Sequence, residues 1–222
     1  NGAGKSTLIK ILTGVHPPDE GTLSLFGQPV RLTSPRDALR AGVGAVHQER
    51  NLVTRFSVGE NIMLERLPAR LGLVDYGRVH AEAGGWLRQL DLAVDPRTPV
   101  SRLSVAQMQL VEIAKGLSLE ARVLLLDEPT ASITPHEALA LFRLLRRLAG
   151  EGVAVVFVSH KLEEVFELCD RVTVLRDGRN ACSGEDLGGL TQRDLVRLMV
   201  GRDEAARAAK PPAGPPGEVA LE

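Results

Sequence analysis

The sequence predicts an α/β fold built around a parallel sheet, and three observations carry that prediction. Short apolar segments rich in β-branched residues alternate with segments of helical periodicity. A glycine-rich turn at residues 1–7 runs directly into a helical pattern, and the apolar segment 123–127 ends in a carboxylate that a second one follows. Ligands of open α/β sheets bind beyond the carboxyl ends of the strands, so both features are expected at one edge.

The composition is typical of a folded protein without a polyanionic partner. The 222 residues are 44% hydrophobic and 25% charged, and 27 Lys and Arg stand against 28 Asp and Glu, which gives a net charge of −1. That balance provides no global positive field, so nucleic acid is not an expected partner. Apolar runs are far shorter than the roughly 20 residues of a membrane-spanning helix. Cys169 and Cys182 do not have the spacing of metal ligands, and their small number favours a reducing compartment. Cys169 is predicted to pack against apolar side chains and not to take part in redox chemistry.

Three segments read as strands buried on both faces of a parallel sheet: 123–127, 153–158 and 171–175. The region from about residue 50 to 119 lacks comparable strands and is predicted to be an inserted helical subdomain, with helices at 79–90 and 104–117.

A further helix is predicted over residues 134–148 from its end signals. Thr134 serves as N-cap, Pro135 takes the first helical position, Glu137 completes a capping box, and Gly150 lies just past the end.

Residues 1–7 match the latter part of the phosphate-binding P-loop pattern G-x-x-x-x-G-K-[ST]. The glycines let backbone amides curl around phosphates, and the helix directs its positive end at them. Lys5 is expected to reach the β and γ phosphates, and the Ser6 hydroxyl to ligate Mg²⁺. The alternative is a coincidental glycine-rich turn. The predicted phosphate-contacting residues are Asn1, Gly2, Ala3, Gly4, Lys5, Ser6 and Thr7.

Two carboxylates at the end of the apolar segment 123–127 are the second candidate element. Asp127 is expected to hold the Mg²⁺ shell, and Glu128 to polarise the attacking water as a general base. The alternative is that both residues only cap a turn before Pro129.

Polar residues follow two other predicted strands. Ser159 and His160 come directly after segment 153–158, which places the imidazole at the same sheet edge as Glu128, where it is expected to hydrogen-bond the γ phosphate. Gln48 ends another short apolar strand, and its amide is expected to reach Mg²⁺ or the attacking water.

The start of the predicted helix 104–117 is a third candidate. Ser104, Val105, Ala106 and Gln107 begin an amphipathic helix, with Ser104 as a reasonable N-cap. A helix N-terminus of small residues with a hydroxyl also binds phosphate, so a plain helix start and a phosphate-binding surface both remain open.

This ordered set of motifs resembles the nucleotide-binding domain of ABC ATPases, over residues 1 to about 202. The fold it implies is a P-loop NTPase with a RecA-like core sheet and an inserted helical subdomain. Segments 57–62, 111–115, 176–178 and 199–202 are similar to the first half of the tandem ATPases of bacterial monosaccharide importers of the ribose, galactose and xylose kind. The domain is therefore expected to span residues 1–203, followed by a Pro/Gly-rich linker at 204–222 toward a second ATPase domain.

The resemblance implies a composite site for ATP and Mg²⁺. Residues 104–107 would close over the nucleotide of a partner domain. The residues that would face this domain's own nucleotide are Lys5, Ser6, Thr7, Gln48, Asp127, Glu128 and His160. It further implies permease subunits, a sugar-binding protein acting indirectly, and a peripheral position on the cytoplasmic face of the membrane, with segment 48–62 near the permease.

The chain departs from the common family pattern at three points. Val105 and Ala106 replace both glycines of L-S-G-G-Q, and Thr134 stands where an Asp often bridges the two domains. The two strands before the P-loop and the aromatic residue that stacks on adenine do not appear in this sequence, so we expect a fragment of a longer protein that binds ATP weakly alone. A soluble ABC ATPase acting on ribosomes or DNA, and a binding-only regulatory domain, remain the alternatives.

Overall fold

The computed structural model describes residues 3–46, 51–70 and 72–201. Lys5–Leu168 form one compact unit, and the described residues 3–4 and 169–201 belong to a second. Gln48, Asn1 and Gly2 lie outside the described residues, as does the predicted linker.

The secondary structure follows the predicted alternation. The helices, in chain order, are α1 (Lys5–Leu12), α2 (Pro35–Arg40), α3 (Val58–Ile62), α4 (Tyr76–Gln89), α5 (Val105–Ser118), α6 (Pro135–Gly150), α7 (Leu162–Leu168) and α8 (Gln192–Val200). The strands are β1 (Leu23–Leu25), β2 (Gln28–Val30), β3 (Val43–Val46), β4 (Ala69–Arg70), β5 (Leu73–Val74), β6 (Val123–Asp127), β7 (Ala154–Val158), β8 (Arg171–Arg176) and β9 (Arg179–Asp186).

A parallel sheet in the order β3-β6-β7 is the centre of the larger unit. Strand β6 lies in the middle, and its residues Leu124, Leu125 and Leu126 are buried, as predicted. The prediction of burial on both faces is wrong for β7. Ala154 and Val156 lie on the same face of this strand and are both exposed, Val156 to 40%.

The predicted strand at 171–175 exists, but its assignment to a parallel sheet is wrong. In the smaller unit, β8 pairs antiparallel with β9 through a two-residue turn at Asp177 and Gly178. Both turn residues have positive φ, 51° and 71°, which is the backbone of a type I′ hairpin turn. An Asp-Gly pair adopts that turn readily, so the chain reverses locally and does not cross over to a parallel neighbour.

Helix α6 confirms the capping prediction and corrects its end. The Thr134 side chain accepts a hydrogen bond from the Glu137 amide, and the Glu137 carboxylate accepts one from the Thr134 amide. Gly150 is the last helical residue and not the residue beyond the end, while Gly152, with φ of 93°, carries the left-handed backbone of the turn.

The predicted helical region contains α3, α4 and α5, which contact one another. Helix α4 begins at Tyr76, earlier than predicted, because the Asp75 side chain caps it by accepting from the Arg78 amide. The short exposed hairpin β4–β5 interrupts the helices. Helix α5 also packs on β3, where Gly116 lies so close to Val46 that an added Cβ would be 2.5 Å from a Val46 methyl.

Within the described ranges, no helix is long and apolar enough to cross a membrane.

Candidate active site

Glu128 stands just past β6, in a strained backbone conformation. Its φ of 48° is in the left-handed region, which non-glycine residues seldom adopt. The Glu128 amide donates a hydrogen bond to the carbonyl of Val158 at 2.9 Å, so the residue is fastened to the end of the neighbouring strand β7. Strain of this kind persists where the surrounding structure imposes it, and it clusters at functional sites.

His160 meets Glu128 at this edge of the sheet. Nδ1 of His160 lies 3.1 Å from Oε1 of Glu128, and the two side chains are 60% and 19% exposed. The predicted position of the imidazole beside the Glu128 carboxylate is therefore confirmed, whereas its contact with the γ phosphate stays a prediction. A carboxylate that accepts from Nδ1–H orients the ring and leaves Nε2 facing away from Glu128, and Nε2 donates as well when the ring is doubly protonated.

The described part of the P-loop runs into α1. Gly4 has φ of 96°, a conformation open to glycine, and Lys5 is the first residue of the helix. Lys5 is half-buried, whereas Ser6 and Thr7 are exposed at the helix N-terminus. Helix α1 contacts β6, so the helix that follows the P-loop and the strand that ends in Asp127 are neighbours.

Ser104 is the N-cap of α5, as predicted. Its side chain accepts from the Gln107 amide at 3.2 Å, and its own amide donates to the Gln107 side chain at 2.9 Å. Val105 is 51% exposed, although it is apolar. Among the described residues no hydrogen bond or ion pair joins this motif to Glu128 or His160.

Residues 53–57 are held by the side chain of Asn61, which is fully buried. The Asn61 side chain accepts from the Val53 amide at 2.7 Å and donates to the carbonyls of Val53 and Ser57, both at 3.0 Å. Lys115 of α5 donates to the Asn51 carbonyl at 3.1 Å. Residues 51–62 are thereby tied to the helix that begins at the Ser104 motif.

One residue of this edge escaped the sequence analysis. The carboxylate of Glu164 in α7 accepts hydrogen bonds from Thr130, two residues after Glu128, and from Ser159, directly before His160. The available signal was its position one helical turn after His160, which does not by itself reveal what the side chain reaches.

Comparison with known proteins identifies the family of this chain. The ABC transporter family model matches residues 1–131. The chain therefore belongs to the ABC transporter family. A nucleotide-free ATP-binding cassette from an ABC transporter superposes with a TM-score of 0.75 over 95% of this chain and 85% of that one, at 22% identity. The dimeric structure of a bacterial ABC transporter cassette gives a TM-score of 0.73 at 23% identity, over 86% of this chain and 83% of that one. These likenesses confirm the predicted P-loop α/β fold.

Curated relatives are more similar in sequence. The ribose import ATP-binding protein RbsA of Rhodopirellula baltica is 50% identical over 204 residues, which are 91% of this chain and 40% of that protein. The ribose import ATP-binding protein RbsA 1 of Rubrobacter xylanophilus is 50% identical over 227 residues, with 100% of this chain and 44% of that protein covered. The chain thus spans less than half the length of the curated relatives it matches.

Proposed function

We propose that this chain is the first nucleotide-binding domain of an ATPase that energises import of a monosaccharide. The observation that carries the proposal is the contact of Glu128 with His160, at the carboxyl edge of β6 and β7, in a chain of the ABC transporter family. The ribose import function named for relatives at 50% identity supports a sugar as the cargo.

The residues of this edge suit phosphoryl transfer to water. Lys5 and the amides at the start of α1 would hold the β and γ phosphates of ATP. Glu128 would orient and polarise the attacking water, and His160 would hydrogen-bond the γ phosphate through the nitrogen that does not face Glu128. The contact between the Glu128 and His160 side chains holds the carboxylate and the imidazole next to each other.

Mg²⁺ fits the donor chemistry present in this chain. The Ser6 hydroxyl and the Asp127 carboxylate are hard oxygen donors, which Mg²⁺ takes together with substrate phosphates and water. We propose that these two residues, with Gln48, hold the ion. When bound, it would neutralise charge that develops on the phosphate oxygens.

A second ATPase domain would complete the site. His160 is 60% exposed and Val105 is 51% exposed, so both sides of a composite site are accessible in this chain. We propose that residues 104–107 close over the nucleotide of the partner domain. We further propose that the nucleotide-binding domain of this chain spans residues 1–203 and that a linker follows at 204–222. Closure would drive permease subunits at the cytoplasmic face of the membrane, to which a sugar-binding protein delivers the cargo.

The proposal is tested by uptake in cells that lack the gene for the full-length protein. Plasmid-borne wild type should restore uptake of labelled ribose, galactose or xylose, and Glu128→Gln should not, at equal protein level. Glu163→Gln, the same change on the exposed side of α7, is the control and should restore uptake. If deletion of the gene leaves uptake of every monosaccharide tested unchanged, the import function is wrong.

A further inference from the structure

A single carboxylate connects the two loops that carry the site. Oε2 of Glu164 accepts a hydrogen bond from the Thr130 hydroxyl at 2.7 Å and another from the Ser159 hydroxyl at 3.0 Å. Thr130 follows β6 and Ser159 follows β7, so the bonds join the ends of two adjacent strands of the parallel sheet. The shared acceptor therefore fixes the spacing of these two loops.

The other oxygen of Glu164 is held by a lysine. Oε1 lies 2.9 Å from Nζ of Lys161, and the same Nζ lies 3.4 Å from the Thr130 carbonyl. The Lys161 amide donates to the Ser159 hydroxyl at 3.0 Å, so this hydroxyl both donates and accepts. The carboxylate is thus bonded through both oxygens, which restricts its rotation.

Burial makes these bonds stronger than exposed ones of the same length. The Glu164 side chain is 12% exposed, and Thr130 is 3% exposed. A charge-assisted hydrogen bond in such a site is shorter and stronger than a neutral one, and a buried hydroxyl that loses its acceptor incurs a desolvation penalty. Val165, which is 8% exposed, packs the helix of Glu164 in place.

The loops joined by Glu164 are those of the reacting pair. Thr130 comes two residues after Glu128, and Ser159 directly precedes His160. A shift of either loop would change the 3.1 Å separation of the Glu128 and His160 side chains. Phosphoryl transfer depends on that kind of placement, because a misplacement of about 1 Å can cost about 100-fold in rate.

We infer that Glu164 is a positioning residue for hydrolysis, which holds Glu128 and His160 in register by bonding Thr130 and Ser159. This inference rests on the proposed function. Glu164 does not meet the reacting atoms in this account. It acts through the two loops, and its removal should slow turnover without weakening capture of the nucleotide by the P-loop.

The test measures steady-state ATP hydrolysis by the full-length protein and its variants. Glu164→Ala should lower kcat about 10-fold or more while KM for ATP stays within about twofold of wild type, because the positioned loops and not the P-loop are disturbed. Glu164→Gln keeps an oxygen acceptor for the two hydroxyls and should recover most of the lost kcat. Glu163→Gln, on the same turn of α7, should leave both constants unchanged.

A double-mutant cycle distinguishes positioning from a structural role. In the His160→Ala background the additional loss from Glu164→Ala should shrink to less than about twofold, because the register between Glu128 and His160 that Glu164 holds no longer exists. An unchanged kcat in Glu164→Ala, a full loss that persists in the His160→Ala background, or a loss that follows a fall in Tm in both Glu164 variants would each overturn the inference.

The single variants show separately whether the underlying proposal holds. If Glu128→Gln and His160→Ala both hydrolyse ATP at the wild-type rate, the roles that the proposed function gives to Glu128 and His160 fail, whatever Glu164→Ala does. If both are impaired and Glu164→Ala is not, only the positioning role is wrong.

Discussion

Nδ1 of His160 lies 3.1 Å from Oε1 of Glu128, across the ends of two adjacent parallel strands. The register of β6 with β7 places Asp127 opposite Val158, and the Glu128 amide donates to the Val158 carbonyl at 2.9 Å. Backbone pairing therefore sets the position from which both side chains extend. The pair is a consequence of the sheet, and its geometry should survive changes on the exposed faces of the helices.

Replacement of His160 by alanine should slow ATP hydrolysis about 100-fold, as expected when one hydrogen-bond donor to developing charge is lost. KM for ATP should change little, because the P-loop residues are untouched. Steady-state kinetics of the full-length protein measure both constants. His136→Ala removes another exposed histidine of the same unit and is the control. Equal rates in the two variants would contradict the role given to His160.

Gly116→Ala should destabilise the protein by about 1–3 kcal/mol, although alanine is the better helix former. The added Cβ would lie 2.5 Å from a methyl of Val46, which is 1% exposed and stiff because it is β-branched. Gly85→Ala is the matched control. Apart from its chain neighbours and the backbone of its own helix, no atom lies within 4 Å of a Cβ there, so that variant should gain roughly 0.5–1 kcal/mol. Urea unfolding of both variants measures whether their changes in unfolding free energy have opposite signs.

Ser57→Ala should cost about 1 kcal/mol near neutral pH, because it removes the cap of α3. The Ser57 hydroxyl and then its amide lower the pKa of Glu60, to which they donate hydrogen bonds at 2.6 and 2.8 Å. A depressed carboxyl pKa stabilises the fold above the pKa of the unfolded state, about 4.3, and this contribution is lost as the pH falls through the folded-state value.

The difference in unfolding free energy between wild type and Ser57→Ala should therefore shrink as the pH falls below about 4. In a Glu60→Gln background the cost of Ser57→Ala should not vary with pH, because the titrating partner is absent. A cost that grows toward low pH would contradict this account of α3.

Alkylation of Cys169 should be slower in the folded protein than in urea at the same pH. Burial, and to a smaller extent the neighbouring Asp170, raises the pKa of the Cys169 thiol, and the thiolate is the nucleophile. The measurement uses iodoacetamide with Cys182→Ser, so that a single thiol is followed. Faster labelling in the folded state would show a reactive cysteine and contradict the predicted packing role.

The sequence predicted the elements whose signals are local. The Thr134 capping box and the Ser104 N-cap follow from residue types at fixed spacing, and both are present. Strand β6 follows from a continuous apolar run. His160 could be placed beside Glu128 because parallel strands end at the same edge.

Features that depend on neighbours were missed or assigned wrongly. The periodicity of β8 does not show which strand pairs with it. The Asp177-Gly178 turn decides the pairing, and it is a hairpin signal that periodicity does not contain. The contacts of Glu164 depend on where two loops lie in space, which spacing alone does not specify. The functional roles of Ser6, Asp127 and Gln48 stay predictions.

ATP turnover by Glu128→Gln tests the central claim most directly. The full-length variant should bind ATP as wild type does, since Lys5 and α1 are unchanged, and should hydrolyse it at least about 100-fold more slowly, because the amide cannot act as a base. Bound ATP that accumulates without release of phosphate is the predicted result. Hydrolysis near the wild-type rate would contradict the assignment of Glu128 as the base at this site.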